Sequence, residues 1–142
     1  MTNPISEFPE YCGPADAQGP LCGLRVVDFT HFIAGPYCSM TLADMGAEVI
    51  KIEAPNGEAF RKYGPPRPEL DNQGAAFLWA NRNKKGIVLD MKCAEGAALA
   101  RDLIRTADVV IENFSAGVME RFGLGEPLLR AEQPELIYCA IS

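Results

Sequence analysis

A chain of 142 residues with 19 Asp and Glu against 13 Lys and Arg carries a formal net charge of −6, which argues against general nucleic-acid binding, because that relies on a basic surface. Its apolar share of 48% and charged share of 23% are those of a globular protein; the length bounds it to one domain with one core, and no apolar run approaches a membrane span. The five cysteines (Cys12, Cys22, Cys38, Cys93, Cys139) show no C-x-x-C pair and no disulfide-framework spacing, and with one histidine in the chain no metal site is expected, so the thiols read as reduced cysteines of a cytoplasmic protein.

Residues 1–20 lack the basic start and apolar run of a secretory signal. Pro4, Pro9, Gly13, Pro14, Gly19 and Pro20 predict a flexible arm there, with the folded part over 21–142. Leu24, Val26, Val27 and Phe29 form a β-branched and aromatic run, a buried strand over 24–29. Thr30–Pro36 follows as a loop closed by Gly35-Pro36. It has one glycine where the dinucleotide fingerprint needs three. From Tyr37 the apolar residues take helical spacing (Met40, Ala43 and Ala47, with Leu42 and Met45 beside them), and Gly46 offers a left-handed stop. Val49, Ile50 and Ile52 mark a second strand over 48–53. Strand, helix and strand within about 30 residues is the βαβ unit of a parallel sheet. Glu53 reads as a solvated carboxylate at the strand end.

Ala54–Gln73 is rich in proline, glycine and charge and has no period; a loop this long within a compact domain is functional or mobile. Ala75–Ala80 predicts a short helix, and Arg82, Lys84 and Lys85 a solvated basic turn before a third strand over 86–90. Ala98, Leu99, Leu103 and Ile104 give a helix over Ala94–Thr106 its apolar face. A fourth strand over 108–112 leads into the loop Asn113–Gly117 and a helical turn over Val118–Phe122. A helix over Glu126–Gln133, stopped by Pro134, precedes a fifth strand over 136–141. The expectation is an α/β fold: a Rossmann-like, mostly parallel sheet with flanking helices. Ending on a strand at Ser142, it looks incomplete at its C-terminus, a fragment or a truncation.

In an open α/β sheet, loops at the carboxyl ends of the strands bind the ligand. Thr30–Pro36, Met91–Cys93 and Asn113–Gly117 are such loops, and Arg121 follows within two helical turns. Backbone N–H groups, the Asn113 amide, the Lys92 ammonium, the Arg121 guanidinium and the Phe114 ring suit a phosphorylated, purine-bearing ligand. The same residues have ordinary structural roles: solvated charges for Lys92 and Arg121, a core ring for Phe114, a turn former or N-cap for Asn113, a backbone-bonded loop histidine for His31.

The segments GLRVVDFTHFIAGPYCSMTLADMGAEVIKIE, NRNKKGIVLDMK, DVVIENFSAGVMERFGLG and PELIYCAIS together resemble the amino-terminal part of the class III CoA-transferases, a family that includes the α-methylacyl-CoA racemases. The resemblance runs from Leu21 onward. It implies a Rossmann-like large domain, a small second domain and an interlocked homodimer, acting on an acyl-CoA and a carboxylic acid; the composition above adds the expectation of no metal, no nucleic acid and no membrane. Carried across by position, the CoA contacts fall on Phe32, Ile33 and Ala34, on Leu89, Asp90, Met91 and Lys92, on Asn113 and Phe114, and on Arg121 facing a phosphate. Ala54 stands where formyl-transferring members carry an arginine against the adenine. Ile33 stands where they carry a glutamine near the acyl site, which weighs against a formyl or oxalyl substrate. The family's nucleophilic aspartate falls downstream of Ser142, so no catalytic residue is assigned within the chain and the 142 residues alone are expected to be inactive. The activity implied is a CoA:carboxylate CoA-transferase, with this chain its CoA-binding portion; the alternatives are a racemase of 2-methylacyl-CoA esters and a non-catalytic CoA-binding or dimerising remnant.

Overall fold

The structure is a computed structural model and describes residues 19–141. The arm expected over 1–20 therefore lies, up to residue 18, outside the described residues. Strand β1 (Arg25–Asp28) is followed by helix α1 (Ala34–Asp44) and strand β2 (Glu48–Glu53). The segment to Gln73 holds a 3-10 turn at Ala59–Lys62, strand β3 (Pro66–Arg67) and a second 3-10 turn at Pro68–Leu70, and strand β4 (Gln73–Gly74) pairs antiparallel with β3. Then come helix α2 (Ala75–Ala80), strand β5 (Lys84–Val88), helix α3 (Ala94–Ile104), strand β6 (Val109–Glu112), the short helices α4 (Val118–Arg121) and α5 (Glu126–Glu132), and strand β7 (Ile137–Ala140).

The five long strands form one sheet in the order β5-β2-β1-β6-β7, and every neighbouring pair is parallel. The chain leaves β1 toward one edge through β2 and β5, then returns to the other side of β1 through β6. That reversal creates a switch point between β1 and β6, where open α/β sheets bind ligands at the carboxyl ends.

Period-2 alternation sorts the strand side chains onto two faces. Val27, Phe29, Ile52 and Val110 pack with Ala100 and Ile104 of α3, Met119 of α4 and Leu129 of α5. On the opposite face Val26, Val49 and Ile111 pack with Ala43 of α1 and with Ala47. A smaller cluster of Phe60, Phe77 and Ala80 seats α2 and the first 3-10 turn.

Two element starts differ from the periodicity by two residues or more. Helix α1 begins at Ala34 rather than Tyr37, because Gly35 and Pro36 enter its first turn, where the proline's missing N–H has no partner to lose. Gly35 is required there for close approach: a Cβ would stand 2.3 Å from Thr30 Cβ. Strand β5 begins at Lys84, two residues before the expected 86–90, pairing Lys84 with Val49 and Val88 with Glu53. The expected solvated turn is thus corrected at Lys84, whose side chain is 2% exposed.

Candidate functional site

Beyond β1 and β2 the α1 face carries charge instead of apolar packing. Asp28 Oδ2 accepts from Ser39 Oγ (2.5 Å) and Lys84 Nζ (3.1 Å), and Oδ1 accepts from Thr30 N (2.8 Å) and Oγ1 (2.5 Å). Lys51 Nζ donates to the Thr30 carbonyl (2.7 Å) and pairs with Glu58 Oε2 (2.9 Å). Glu53 holds the Arg61 guanidinium through both oxygens (2.6 and 2.7 Å), and that guanidinium also lies 4.0 Å from the centre of the Phe77 ring. Glu53 is therefore a buried, paired carboxylate and not the solvated strand end expected from sequence. Burial works to raise the Asp28 and Glu53 carboxyls. It is outweighed by Lys51, Lys84 and two hydroxyls at Asp28, and by Arg61 and the Glu58 N–H at Glu53, so both lie below their usual range. Three carboxylates facing three cations (Lys51, Arg61, Lys84) brace the loops after β1 and β2 against each other. The segment after β2, expected as a long loop without a period and functional or mobile, is tied to β2 through Arg61.

Across the switch point, one side chain joins the two loops. Asn113 Oδ1 accepts from His31 N (2.8 Å) and Asn113 Nδ2 donates to His31 O (3.0 Å). The amide proposed as a ligand group is thus committed to holding the β1 loop. The His31 ring meets Phe114 edge-on at 4.8 Å, and Phe114 meets Phe122 at 6.3 Å. Burial holds the His31 imidazole below its usual pKa, favouring the neutral ring.

These contacts wall a cavity of about 280 Å³ that spans four strand ends: Phe29 and His31 after β1, Ile52, Ala54, Pro55 and Asn56 at β2, Asp90, Met91 and Lys92 after β5, and Phe114 and Phe122 after β6. Its floor is apolar and aromatic, and Lys92 and Asp90 stand at its side. Asp90 Oδ1 accepts from Lys92 N (3.0 Å), fixing the turn that presents the lysine. No acidic partner of the Lys92 side chain is found among the described residues.

Of the residues chosen from sequence, Asp90, Met91, Lys92 and Phe114 meet in this cavity. Leu89 does not face it; its side chain is in the core, leaving its backbone alone. Phe32, Ile33 and Ala34 form a separate, exposed lip at the start of α1, with Phe32 edge-on to Phe60 and Tyr63. Arg121 lines no wall of the cavity; its guanidinium folds back beside Gly117. Phe29, Ile52, Pro55, Asn56 and Phe122 were missed. Apolar residues at strand ends look like core in a sequence, and only the crossing of four loops turns them into a wall.

A larger cavity of about 440 Å³ lies on the other side of Phe114, between β6, α4 and β7. It is lined by Glu112, Glu120 and Glu126, whose charges, after burial itself, push the Tyr138 phenol upward. Such a lining repels phosphates, so the smaller cavity with Lys92 is the better place for an anionic nucleotide. Among the described residues no helix is long and apolar enough to cross a membrane.

Comparison with known proteins gives the family and the fold. The family model "CoA-transferase family III" matches residues 21–142. The chain is 48% identical over 128 residues to the succinate–glutarate CoA-transferase of Agrobacterium fabrum, covering 87% of this chain and 32% of that one. It is 45% identical over 126 residues to the succinyl-CoA:mesaconate CoA-transferase of Haloarcula hispanica, again with 87% and 32% coverage. The crystal structure of a CAIB/BAIF family protein from Brucella suis superposes with a TM-score of 0.82 at 44% identity, over 87% of this chain and 33% of that one. The chain thus spans about a third of the length of the relatives it matches. With a parallel sheet, a switch-point cavity and a family match over all but the first twenty residues, the chain belongs to CoA-transferase family III.

Proposed function

We propose that the protein is a CoA:carboxylate CoA-transferase and that this chain supplies its nucleotide-binding rim. The observation that carries the reading is the cavity across four strand ends, apolar and aromatic within and flanked by the Lys92 ammonium, for which no acidic partner is found among the described residues. A purine ring fits between Phe114 and the apolar residues after β2. Lys92, and Arg121 if it swings from Gly117, would meet the phosphates. The Phe32–Ala34 lip and the Asp90–Lys92 turn would follow the rest of the cofactor. The named relatives exchange CoA among succinate, glutarate and mesaconate, so short dicarboxylates are the substrates to try first. Those names also favour transfer over racemisation. The protein acts in the cytoplasm as a homodimer on this reading, a state suggested by the family resemblance.

The chemistry expected of the complete protein begins with an aspartate carboxylate placed beyond Ser142. Its oxygen attacks the acyl-CoA thioester carbonyl, the C–S bond breaks, and an acyl-aspartyl anhydride and CoA thiolate result. The thiolate attacks the aspartyl carbonyl, releasing the donor as a carboxylate and leaving an aspartyl-CoA thioester. The acceptor carboxylate then displaces the thiolate, and the thiolate takes the acceptor's acyl group, restoring the aspartate. On this reading the chain contributes the grip on CoA, and its strand-end carboxylates are otherwise engaged: Asp28 and Glu53 are buried and paired, Asp90 Oδ1 accepts from Lys92 N, and Glu112 Oε2 accepts from Phe114 N.

Calorimetry on the full-length protein tests the reading. A charge-assisted phosphate contact is worth about 1.5–3 kcal/mol, so Lys92→Ala or Arg121→Ala should weaken CoA by roughly tenfold or more, and more than dephospho-CoA if either side chain meets the 3′-phosphate. Unchanged affinity in both variants would remove these residues from the site. With acyl-CoA and hydroxylamine, the 142-residue chain alone should carry no hydroxamate on any of its own carboxylates.

A further inference from the structure

Glu58 lines neither cavity, yet its carboxylate is buried and divided between two partners. Oε1 accepts from Phe32 N at 2.6 Å, and Oε2 lies 2.9 Å from Lys51 Nζ, which itself donates to the Thr30 carbonyl at 2.7 Å. One buried ion pair thus grips the loop after β1 at two points, an acceptor on Thr30 and a donor on Phe32. The residue between them, His31, is held on both its backbone groups by Asn113. Phe32 sits at φ 61°, a region that bulky residues occupy only where their surroundings over-determine it. Its ring is half exposed, so burial of the ring does not explain the conformation; the grip on its N–H does.

An ion pair is also a poor choice if stability alone were at stake, because apolar residues of similar volume serve a buried site as well or better. What two methionines would lack is the ability to bind a carbonyl and an N–H of a neighbouring loop. We propose that Lys51 and Glu58 are positioning residues for the CoA rim: together they fix Thr30 and Phe32, so that the Phe32–Ala34 lip stands in its ligand-bound shape before CoA arrives. The ordering cost of the lip is then met on folding and not on binding. The inference rests on the reading of this rim as the CoA site.

The test uses the full-length protein and two variants. Lys51→Met/Glu58→Met removes both charges at nearly constant volume, a change that leaves many buried-pair sites equally stable. Glu58→Gln keeps an oxygen for the Phe32 N–H but strands the Lys51 ammonium without its counter-charge, the worse change for folding. Positioning makes stability and function run in opposite orders. Glu58→Gln should unfold at lower temperature yet hold kcat/KM within about threefold, whereas the double variant should unfold near the parent and lose about tenfold or more. Parental kcat/KM in the double variant, or activity that merely tracks stability, overturns the proposal. Should neither variant fold, amide exchange in the unmodified protein decides. The Phe32 N–H should already exchange more slowly than that of Ile33 in the CoA-free protein, with little further slowing in saturating CoA; a Phe32 N–H protected only once CoA is added overturns the proposal. The parent is measured first: if it binds no CoA, the reading of the rim has failed, and the positioning role falls with it.

Discussion

Replacing Lys84 with methionine should cost about 3 kcal/mol of stability, at the low end of the roughly 3–5 kcal/mol for breaking a buried ion pair by removing one partner. All three ammonium protons are in use, toward Asp28 Oδ2 (3.1 Å), the Pro36 carbonyl (2.9 Å) and Asn81 Oδ1 (2.9 Å). The side chains of Lys84 and Asp28 are 2% and 0% exposed, so water does not replace what is lost. The low end applies because Asp28 keeps Ser39, both groups of Thr30 and the field of Lys51. Urea unfolding of the full-length parent, Lys84→Met, Asp28→Asn and the double variant forms a cycle, in which a coupling of at least about 1 kcal/mol is expected. The pH dependence adds a second check. A carboxyl held below its unfolded pKa contributes stability that is present above the unfolded value and is lost as pH falls through the folded one. Lys84 is one cause of that depression at Asp28, so the deficit of Lys84→Met should shrink as the solution is acidified through and below the carboxylate range. A loss under about 1 kcal/mol near neutrality, or a deficit that ignores pH, would refute the assignment of a paired, buried lysine.

Two further outcomes are expected. Gly96→Ala places a Cβ 2.1 Å from the Asp90 carbonyl oxygen, backbone that cannot step aside; the overpacking cost of about 1–3 kcal/mol should exceed the gain in helix propensity of about 1 kcal/mol, and a raised urea midpoint would contradict this. Arg61→Met should cost about 1–2 kcal/mol, discounted because a third of the side chain is exposed, and should speed tryptic cleavage after Lys62 by releasing the segment after β2; unchanged cleavage would show that the segment is held by Phe60 and its neighbours instead.

The apolar run of Leu24, Val26, Val27 and Phe29, the helical spacing after Tyr37 and the runs at 48–53 and 108–112 determined the α/β class and the mostly parallel sheet, because buried strands and amphipathic helices write themselves directly into apolar positions. The rim loops were legible for the same reason: each follows a strand, and the resemblance pointed to Asp90, Met91, Lys92 and Phe114, which the fold does bring together. Charge on the inner face was not legible. Lys51, Glu53, Glu58 and Lys84 look like solvent residues in a sequence, and Lys84 in particular looked like part of a turn. A buried charge is tolerable only when its partner is in place. Those partners are Glu58 for Lys51, Arg61 for Glu53 and Asp28 for Lys84, and the last stands 56 residues away in the chain. Asn113 shows the same limit, since a turn-forming amide becomes the tie between two loops 82 residues apart only when β1 and β6 lie side by side. Local pattern determines which segments form strands and helices; which polar groups are buried, and what each one holds, is decided when the tertiary structure brings distant partners within hydrogen-bonding reach.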